Sequence, residues 1–257
     1  MNQIALLLLL VLSSLSGFAQ QTAEAFYRVA NVQLSRGDTS GAMAACDRAI
    51  ALDSTYAEAR NGKGVIKYLL KDFKGAMADF DAAIALRPDY AKAYHNRGLA
   101  KSVAGDKEGA LDDFNEAIDL KPYYAEAYFS RGYVLGELGE LRAEIRDYTM
   151  AITVKPRYVE AYYNRAVAQG KLGFRKDEIR DYDKALTIRP DNADAYFNRG
   201  LAKLALNQYA DAIQDFNLAI DLDPESTDIY FHKGVALAKL TEATPKAEEK
   251  TRSKAKQ

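Results

Sequence analysis

The chain has 257 residues, enough for one large domain or two of ordinary size, and 48% of them are hydrophobic, as in a globular protein. Its 35 Lys and Arg residues nearly balance 36 Asp and Glu, so the formal net charge is -1, which argues against a nucleic-acid-binding protein. A single Cys excludes an internal disulfide and a cysteine zinc site, and the only two histidines are far apart in the sequence. We therefore expect no cofactor and no metal.

The N-terminal segment has the pattern of an export signal. Residues 4–12 form an uninterrupted apolar run, IALLLLLVL, and small and polar residues follow it. Gly17 and Ala19 place small residues three positions and one position before a cleavage at Gln20. The alternative, an uncleaved membrane anchor, would need about 20 apolar residues. The pattern therefore predicts a signal peptide over residues 1–19, a periplasmic or secreted mature protein, and no membrane span after cleavage.

Prolines recur at a fixed interval through the rest of the chain. Five of the six prolines follow one another at intervals of 34 residues: Pro88, Pro122, Pro156, Pro190 and Pro224. Such a period is typical of a repeat architecture. Six complete units and the first half of a seventh follow without insertion: 23–56, 57–90, 91–124, 125–158, 159–192, 193–226 and 227–240.

Each unit contains two helical patterns. In the second half of the sixth unit, the apolar residues that share one helical face are Ala212, Ile213, Phe216, Ala219 and Ile220. Between the two halves, most units have a residue suited to the left-handed end of a helix: Gly37, Gly105, Gly139, Gly173 and Asn207. Lys71 is the exception. Each unit is therefore predicted to be an antiparallel helix pair, which the proline ends.

Five positions recur in register across the units. The eighth is Gly or Ala, the fourth and twenty-fourth are mostly aromatic, and the twentieth is mostly Ala. The twenty-seventh is always Ala: Ala49, Ala83, Ala117, Ala151, Ala185 and Ala219. This pattern resembles the tetratricopeptide repeat (TPR). The resemblance implies an all-α fold over residues 20–240, a right-handed superhelical solenoid of six tandem helix-turn-helix repeats with a C-terminal capping helix. Residues 241–257 are predicted to be a disordered charged tail.

Charged residues recur at two further positions. A cation at the seventh position and an Asp at the twenty-third occur together in five units, which predicts an ion pair; the alternative is a basic row that binds a ligand. Glu144 and Glu178 occupy the twentieth position, where the family favours Ala. A buried unpaired carboxylate is costly, and the sequence leaves the role of both residues open.

The resemblance also implies that the first helices line a concave groove. The family's binding positions correspond here to Tyr27, His95, Asn96, Phe129, Ser130, Tyr133, Tyr163, Asn164, Phe197 and Asn198. Asn96, Asn164 and Asn198, interrupted by Ser130, are similar to the asparagine ladder with which superhelical members bind extended peptides. An amide can both donate to and accept from a peptide backbone. Two alternatives stay open, because the asparagines could bond the neighbouring helix and the aromatic residues could fill gaps between repeats.

Two functions follow from these observations. The first is a non-enzymatic scaffold outside the cytoplasm that binds an extended peptide or protein segment in the groove. The second is a structural subunit of an envelope complex, or a self-associating protein, that acts through the apolar C-terminal helix with Tyr230, Phe231 and Leu240. An enzyme is not expected, because no Gly-rich phosphate loop and no Ser, His and Asp set stands out.

Overall fold

The structure, a computed structural model, describes residues 22–243, and this part of the chain is entirely helical. Its thirteen helices are α1 Ala23–Ser35, α2 Thr39–Leu52, α3 Ala57–Leu69, α4 Phe73–Leu86, α5 Ala91–Val103, α6 Lys107–Leu120, α7 Ala125–Glu137, α8 Leu141–Val154, α9 Val159–Lys171, α10 Arg175–Ile188, α11 Ala193–Ala205, α12 Tyr209–Leu222 and α13 Thr227–Ala243. The predicted all-α fold of tandem helix pairs is confirmed. The last helix runs past the predicted end at residue 240, while the predicted signal peptide and residues 244–257 lie outside the described residues.

The turn inside each helix pair requires a left-handed residue. Positive φ angles occur at the four glycines predicted for this role, and at Asn207 with φ 60°. Lys71 also adopts this conformation, with φ 63°. A side chain with a Cβ is disfavoured there, although Asn tolerates the conformation better than most residues. The turn of the second repeat therefore carries a conformational cost that the four repeats with glycine avoid and that Asn207 reduces in the sixth.

The second helix of each pair begins differently in the two halves of the chain. In the first three repeats, Asp38, Asp72 and Asp106 accept a hydrogen bond of 2.8–2.9 Å from the backbone N–H three residues later. Such N-caps stabilise a helix by about 1 kcal/mol. In the next three repeats, Glu140, Phe174 and Gln208 occupy the cap position without a side-chain cap bond.

Small residues let the two helices of a repeat approach closely. The alanines at the twenty-seventh position are at most 1% exposed in all six repeats. At Gly200, an added Cβ would lie 2.6 Å from the ring of Phe216, so a larger residue there would require the ring to shift.

The chain divides into two compact units between Pro122 and Tyr123. The first unit contains α1–α6 and the second α7–α13, and within each unit every helix packs on the next one along the chain. Consecutive first helices also touch, α1 with α3 and α3 with α5 in the first unit, and α11 with α13 in the second. This stacking is that of a helical repeat solenoid. We call the surface formed by α7, α9 and α11 the inner face of the second unit. Among residues 22–243, no helix combines the length and the apolarity that crossing a membrane requires.

Candidate binding site

The three predicted ladder asparagines are half-buried, and each one bonds the preceding helices. In the first unit, the Asn96 amide donates to Asn61 Oδ1 at 2.8 Å. In the second unit, Asn198 donates to the Tyr163 hydroxyl at 3.0 Å, and Asn164 hydrogen-bonds Tyr148. These bonds match the alternative in which the amides serve the fold. Each amide nevertheless has two N–H donors and an acceptor oxygen, so it keeps bonding capacity for a ligand.

Most of the predicted aromatic row packs against the rings of its own repeat. Ring centroids lie 5.0–6.0 Å apart in five contacts: Tyr27–Tyr56, His95–Phe114, Phe129–Tyr158, Tyr163–Tyr182 and Phe197–Phe216. Aromatic contacts of this kind stabilise a core. Tyr133 differs from the row, since 52% of it is exposed on α7. Ser130 is half-buried on the same helix. Of the predicted groove residues in the second unit, Tyr133 therefore presents the largest exposed ring.

The predicted ion pair forms in four repeats. The guanidinium donates two hydrogen bonds of 2.6–3.0 Å to one carboxylate in Arg97–Asp113, Arg131–Asp147, Arg165–Asp181 and Arg199–Asp215. The aspartates are buried, so the pairs belong to the fold rather than to a ligand site.

The second repeat departs from this prediction. Lys63 bonds Asp47 of the first repeat at 2.6 Å, and Asp79 pairs with Lys67 at 2.6 Å. A lysine ammonium cannot form the planar, two-bond contact with a carboxylate that a guanidinium forms. Lys63 therefore pairs with the nearer carboxylate of Asp47.

Several of these cations also join neighbouring repeats. The Arg97 and Arg199 guanidinium groups donate to Asp81 and Asp183 of the preceding repeat at 2.6 Å, and Arg165 donates to Thr149 at 2.9 Å. The ion pairs therefore connect helix pairs as well as helices.

A cavity of about 250 Å³ opens between α7, α8 and α9 in the second unit. Two predicted groove residues, Tyr133 and Asn164, line it together with Glu144, whose role the sequence left open. The rest of the lining is Gly136, Glu137, Tyr148, Val167 and Lys171. The Glu144 carboxyl lies against Gly136, where an added Cβ would come within 2.6 Å of it. The same relation holds in the next repeat between Glu178 and Gly170, also at 2.6 Å. A glycine eight residues before each glutamate therefore makes room for a carboxylate at a position that usually holds Ala.

The two glutamates differ in their partners. Both are 6% exposed, and burial raises the pKa of each carboxyl above its ordinary value. Glu178 accepts a hydrogen bond of 2.8 Å from Arg175, which opposes that rise in pKa. For Glu144, the charge of Lys171 and, to a smaller extent, a hydrogen bond with Tyr148 oppose the rise in pKa. Within the described part of the chain, the buried Oε2 of Glu144 has no hydrogen-bond partner.

A second cavity, of about 180 Å³, lies in the first unit, and Tyr27, Asn31 and Cys46 are part of its lining. Burial raises the pKa of the Cys46 thiol to about 11, which disfavours the nucleophilic thiolate form. Within residues 22–243, no three His, Cys, Asp or Glu side chains are grouped so as to hold a metal ion.

Solved structures share this fold at low sequence identity. YrrB, described as a TPR protein with an unusual peptide-binding site, is 20% identical over 74% of this chain and 97% of its own, with a TM-score of 0.64. PilF of Pseudomonas aeruginosa is 17% identical over 84% of this chain and 96% of its own, with a TM-score of 0.73. PilW, a type IV pilus biogenesis factor, is 18% identical over 83% of this chain and 99% of its own, with a TM-score of 0.72. A comparison with curated proteins finds no match.

Family comparison agrees with the repeat period and with the helix pairs. Four models of the tetratricopeptide repeat match the chain, over residues 30–91, 104–139, 159–192 and 193–226. These matches agree with the helix pairs in 34-residue units seen in the structure, and the chain belongs to the tetratricopeptide repeat family.

Proposed function

We propose that the protein is a non-enzymatic interaction scaffold that binds an extended peptide along the inner face of its second unit. The observation that carries the proposal is the cavity between α7, α8 and α9, because Tyr133 and Asn164 from the predicted groove both line it. A repeat protein uses such a surface for partners, since its stacked helices present side chains at regular intervals. YrrB has a similar fold and is described as having a peptide-binding site, which agrees with this proposal.

Asparagine amides would hold the peptide backbone in this proposal. Asn164 and Asn198 occupy the same position in successive repeats, and each commits only part of its bonding capacity to the fold. Their spacing suits an extended peptide that passes from one first helix to the next. The exposed ring of Tyr133 would contact an apolar or cationic side chain of the same peptide.

The place of action proposed here is outside the cytoplasm. The support is the apolar run of residues 4–12 and the small residues Gly17 and Ala19 before the predicted cleavage. Fractionation of cells that express the full chain, with N-terminal sequencing of the product, tests this part. A product that begins at Gln20 in the periplasmic or secreted fraction is expected, and an uncleaved cytoplasmic chain would contradict it.

A peptide library tests the binding function. Residues 20–257 are used to select from displayed random decapeptides, and the selected peptides are measured by fluorescence anisotropy. Replacing Asn164 and Asn198 with Ala should weaken binding at least tenfold, which corresponds to about 1.4 kcal/mol. The matched control is Asn217→Ala, on the exposed surface of the second helix α12, which should leave affinity unchanged. Equal affinities for both variants would contradict the proposed site.

A second candidate function rests on the surface of α13. Tyr230, Phe231 and Leu237 are 48%, 67% and 44% exposed, which is unusual for the last helix of a solenoid. This helix would act in self-association or in an envelope complex. Analytical ultracentrifugation of residues 20–257, with and without Phe231→Glu, tests self-association. An oligomer that Phe231→Glu dissociates would favour the second candidate function. A monomer with either sequence would count against self-association.

A further inference from the structure

We propose that the cavity between α7, α8 and α9 binds a basic side chain of the bound peptide, with its ammonium or guanidinium group on the Glu144 carboxylate. The inference rests on the proposed function, since it assigns a chemical preference to the same peptide-binding surface. Glu144 is only 6% exposed, and its Oε2 has no hydrogen-bond partner among residues 22–243. Burying a carboxylate oxygen without a hydrogen bond is costly, so a cationic ligand group that bonds Oε2 would offset a penalty that the fold already bears.

The next repeat shows how the same carboxylate is satisfied within the chain. Glu178 has the same glycine beneath it and the same burial as Glu144, and Arg175 donates a hydrogen bond of 2.8 Å to it. One repeat earlier, the position of Arg175 is occupied by Leu141. The fourth repeat therefore has the pocket and the carboxylate but lacks the guanidinium, and a ligand cation would take the place that Arg175 fills in the fifth.

The surroundings of Glu144 fix its carboxyl group in place. Tyr148 hydrogen-bonds both Asn164 and Glu144, and because a carboxylate can only accept, the Tyr148 hydroxyl is the donor to Glu144. This chain of hydrogen bonds leads from the inner face to the buried carboxyl. A peptide whose backbone bonds Asn164 would therefore place a neighbouring side chain close to the cavity.

The rest of the lining suits a long basic side chain. Val167 and the Tyr133 ring supply apolar surface for the methylene stem, and an aromatic ring also attracts a cation. Glu137 and Glu144 are two carboxylates against the single ammonium of the exposed Lys171, so the lining has a formal excess of one negative charge. The volume of about 250 Å³ is smaller than the roughly 300–1,000 Å³ of small-molecule sites, so it fits one side chain rather than a whole metabolite.

The test uses a minimal probe of the side chain. Nα-acetyl-lysine N-methylamide, which keeps the charged side-chain ammonium, is titrated into ¹⁵N-labelled residues 20–257. The backbone amide signals of Gly136 and Val167 are followed by NMR. Saturable shifts are expected with this probe and not with the norleucine analogue, which has the same stem without the charge. Equal shifts with both probes would overturn the proposal.

Three variants assign the binding to Glu144. Glu144→Gln should weaken binding of the lysine probe at least tenfold, and Leu141→Arg should do the same by supplying the guanidinium that Arg175 provides in the next repeat. Glu178→Gln is the matched control and should leave the affinity unchanged, because its carboxylate is already paired. Unchanged affinity in Glu144→Gln, or in a Leu141→Arg variant that remains helical by circular dichroism, would overturn the assignment.

Two further arms separate this inference from the proposed function. Asn198→Ala should weaken library peptides but not the lysine probe, since Asn198 is not part of the cavity lining. If no peptide binds while the lysine probe still reaches Glu144, the peptide function fails and the cation preference stands. If spermidine binds more tightly than every lysine-containing peptide, the peptide origin of the cation is refuted.

Discussion

Replacing Arg165 with Met should destabilise the second unit by about 3 kcal/mol. The guanidinium donates two hydrogen bonds of 2.7 Å to the Asp181 carboxylate, which is only 3% exposed. Removing one partner of a buried pair leaves an uncompensated charge and typically costs about 3–5 kcal/mol. The lower end applies because the Arg165 side chain is 17% exposed, so its loss admits some water to Asp181.

Arg199 provides the comparison that tests this reasoning. Its partner Asp215 also lies 2.8 Å from Lys203 Nζ, whereas Gln169 stands at the position equivalent to Lys203 in the repeat of Asp181. Arg199→Met leaves Asp215 with a cation and should cost only about 1.5 kcal/mol. Urea unfolding followed by far-UV circular dichroism measures both variants. Equal losses, or a loss below about 0.5 kcal/mol for Arg165→Met, would refute the argument.

Three other changes have expected outcomes. Lys71→Gly should raise stability by about 0.5–1 kcal/mol, because the relief of the left-handed conformation outweighs the extra backbone entropy that Gly adds to the unfolded state; a lower melting temperature would contradict this. Glu140→Asp should add an N-cap worth about 1 kcal/mol, with Asp106→Ala losing as much in the same melting assay. Burial raises the pKa of Glu144 above its ordinary 4.5, so its contribution to stability is present below that pH and is lost as pH rises through the folded pKa. Glu144→Gln should flatten this part of the stability profile, and an unchanged slope would contradict the assignment.

The fold was predictable because its determinants repeat. Six copies of a buried Ala and of a left-handed turn residue give the helix pairs by comparison of equivalent positions, even where Lys71 takes the place of Gly. The ion pairs were predictable for the same reason where the cation is Arg. The predicted pairing of Lys63 with Asp79 was wrong, because an ammonium binds the nearest carboxylate and Asp47 of the preceding repeat is nearer.

The cavity could not be read from single positions. Glu144 and Glu178 stand out in the sequence, but their meaning depends on Gly136 and Gly170, which occupy one other repeat position. A comparison of pairs of positions between repeats would have found this substitution, because only the fourth and fifth repeats have both residues. The division between Pro122 and Tyr123 has no signal of this kind, since the 34-residue period passes through it without change.

The bonds between repeats determine how unfolding spreads along the chain. Arg97 and Arg199 each bond a carboxylate of the preceding helix pair as well as one of their own. When one of the two helix pairs opens, a charged group in the other loses its partner, so the two pairs tend to open together. The first and second repeats are joined instead by a lysine, whose single bond from Lys63 to Asp47 leaves no second carboxylate dependent on it. In the first unit, the backbone amides of α1 and α2 should therefore exchange fastest, and the amides of α5 and α6 should be better protected.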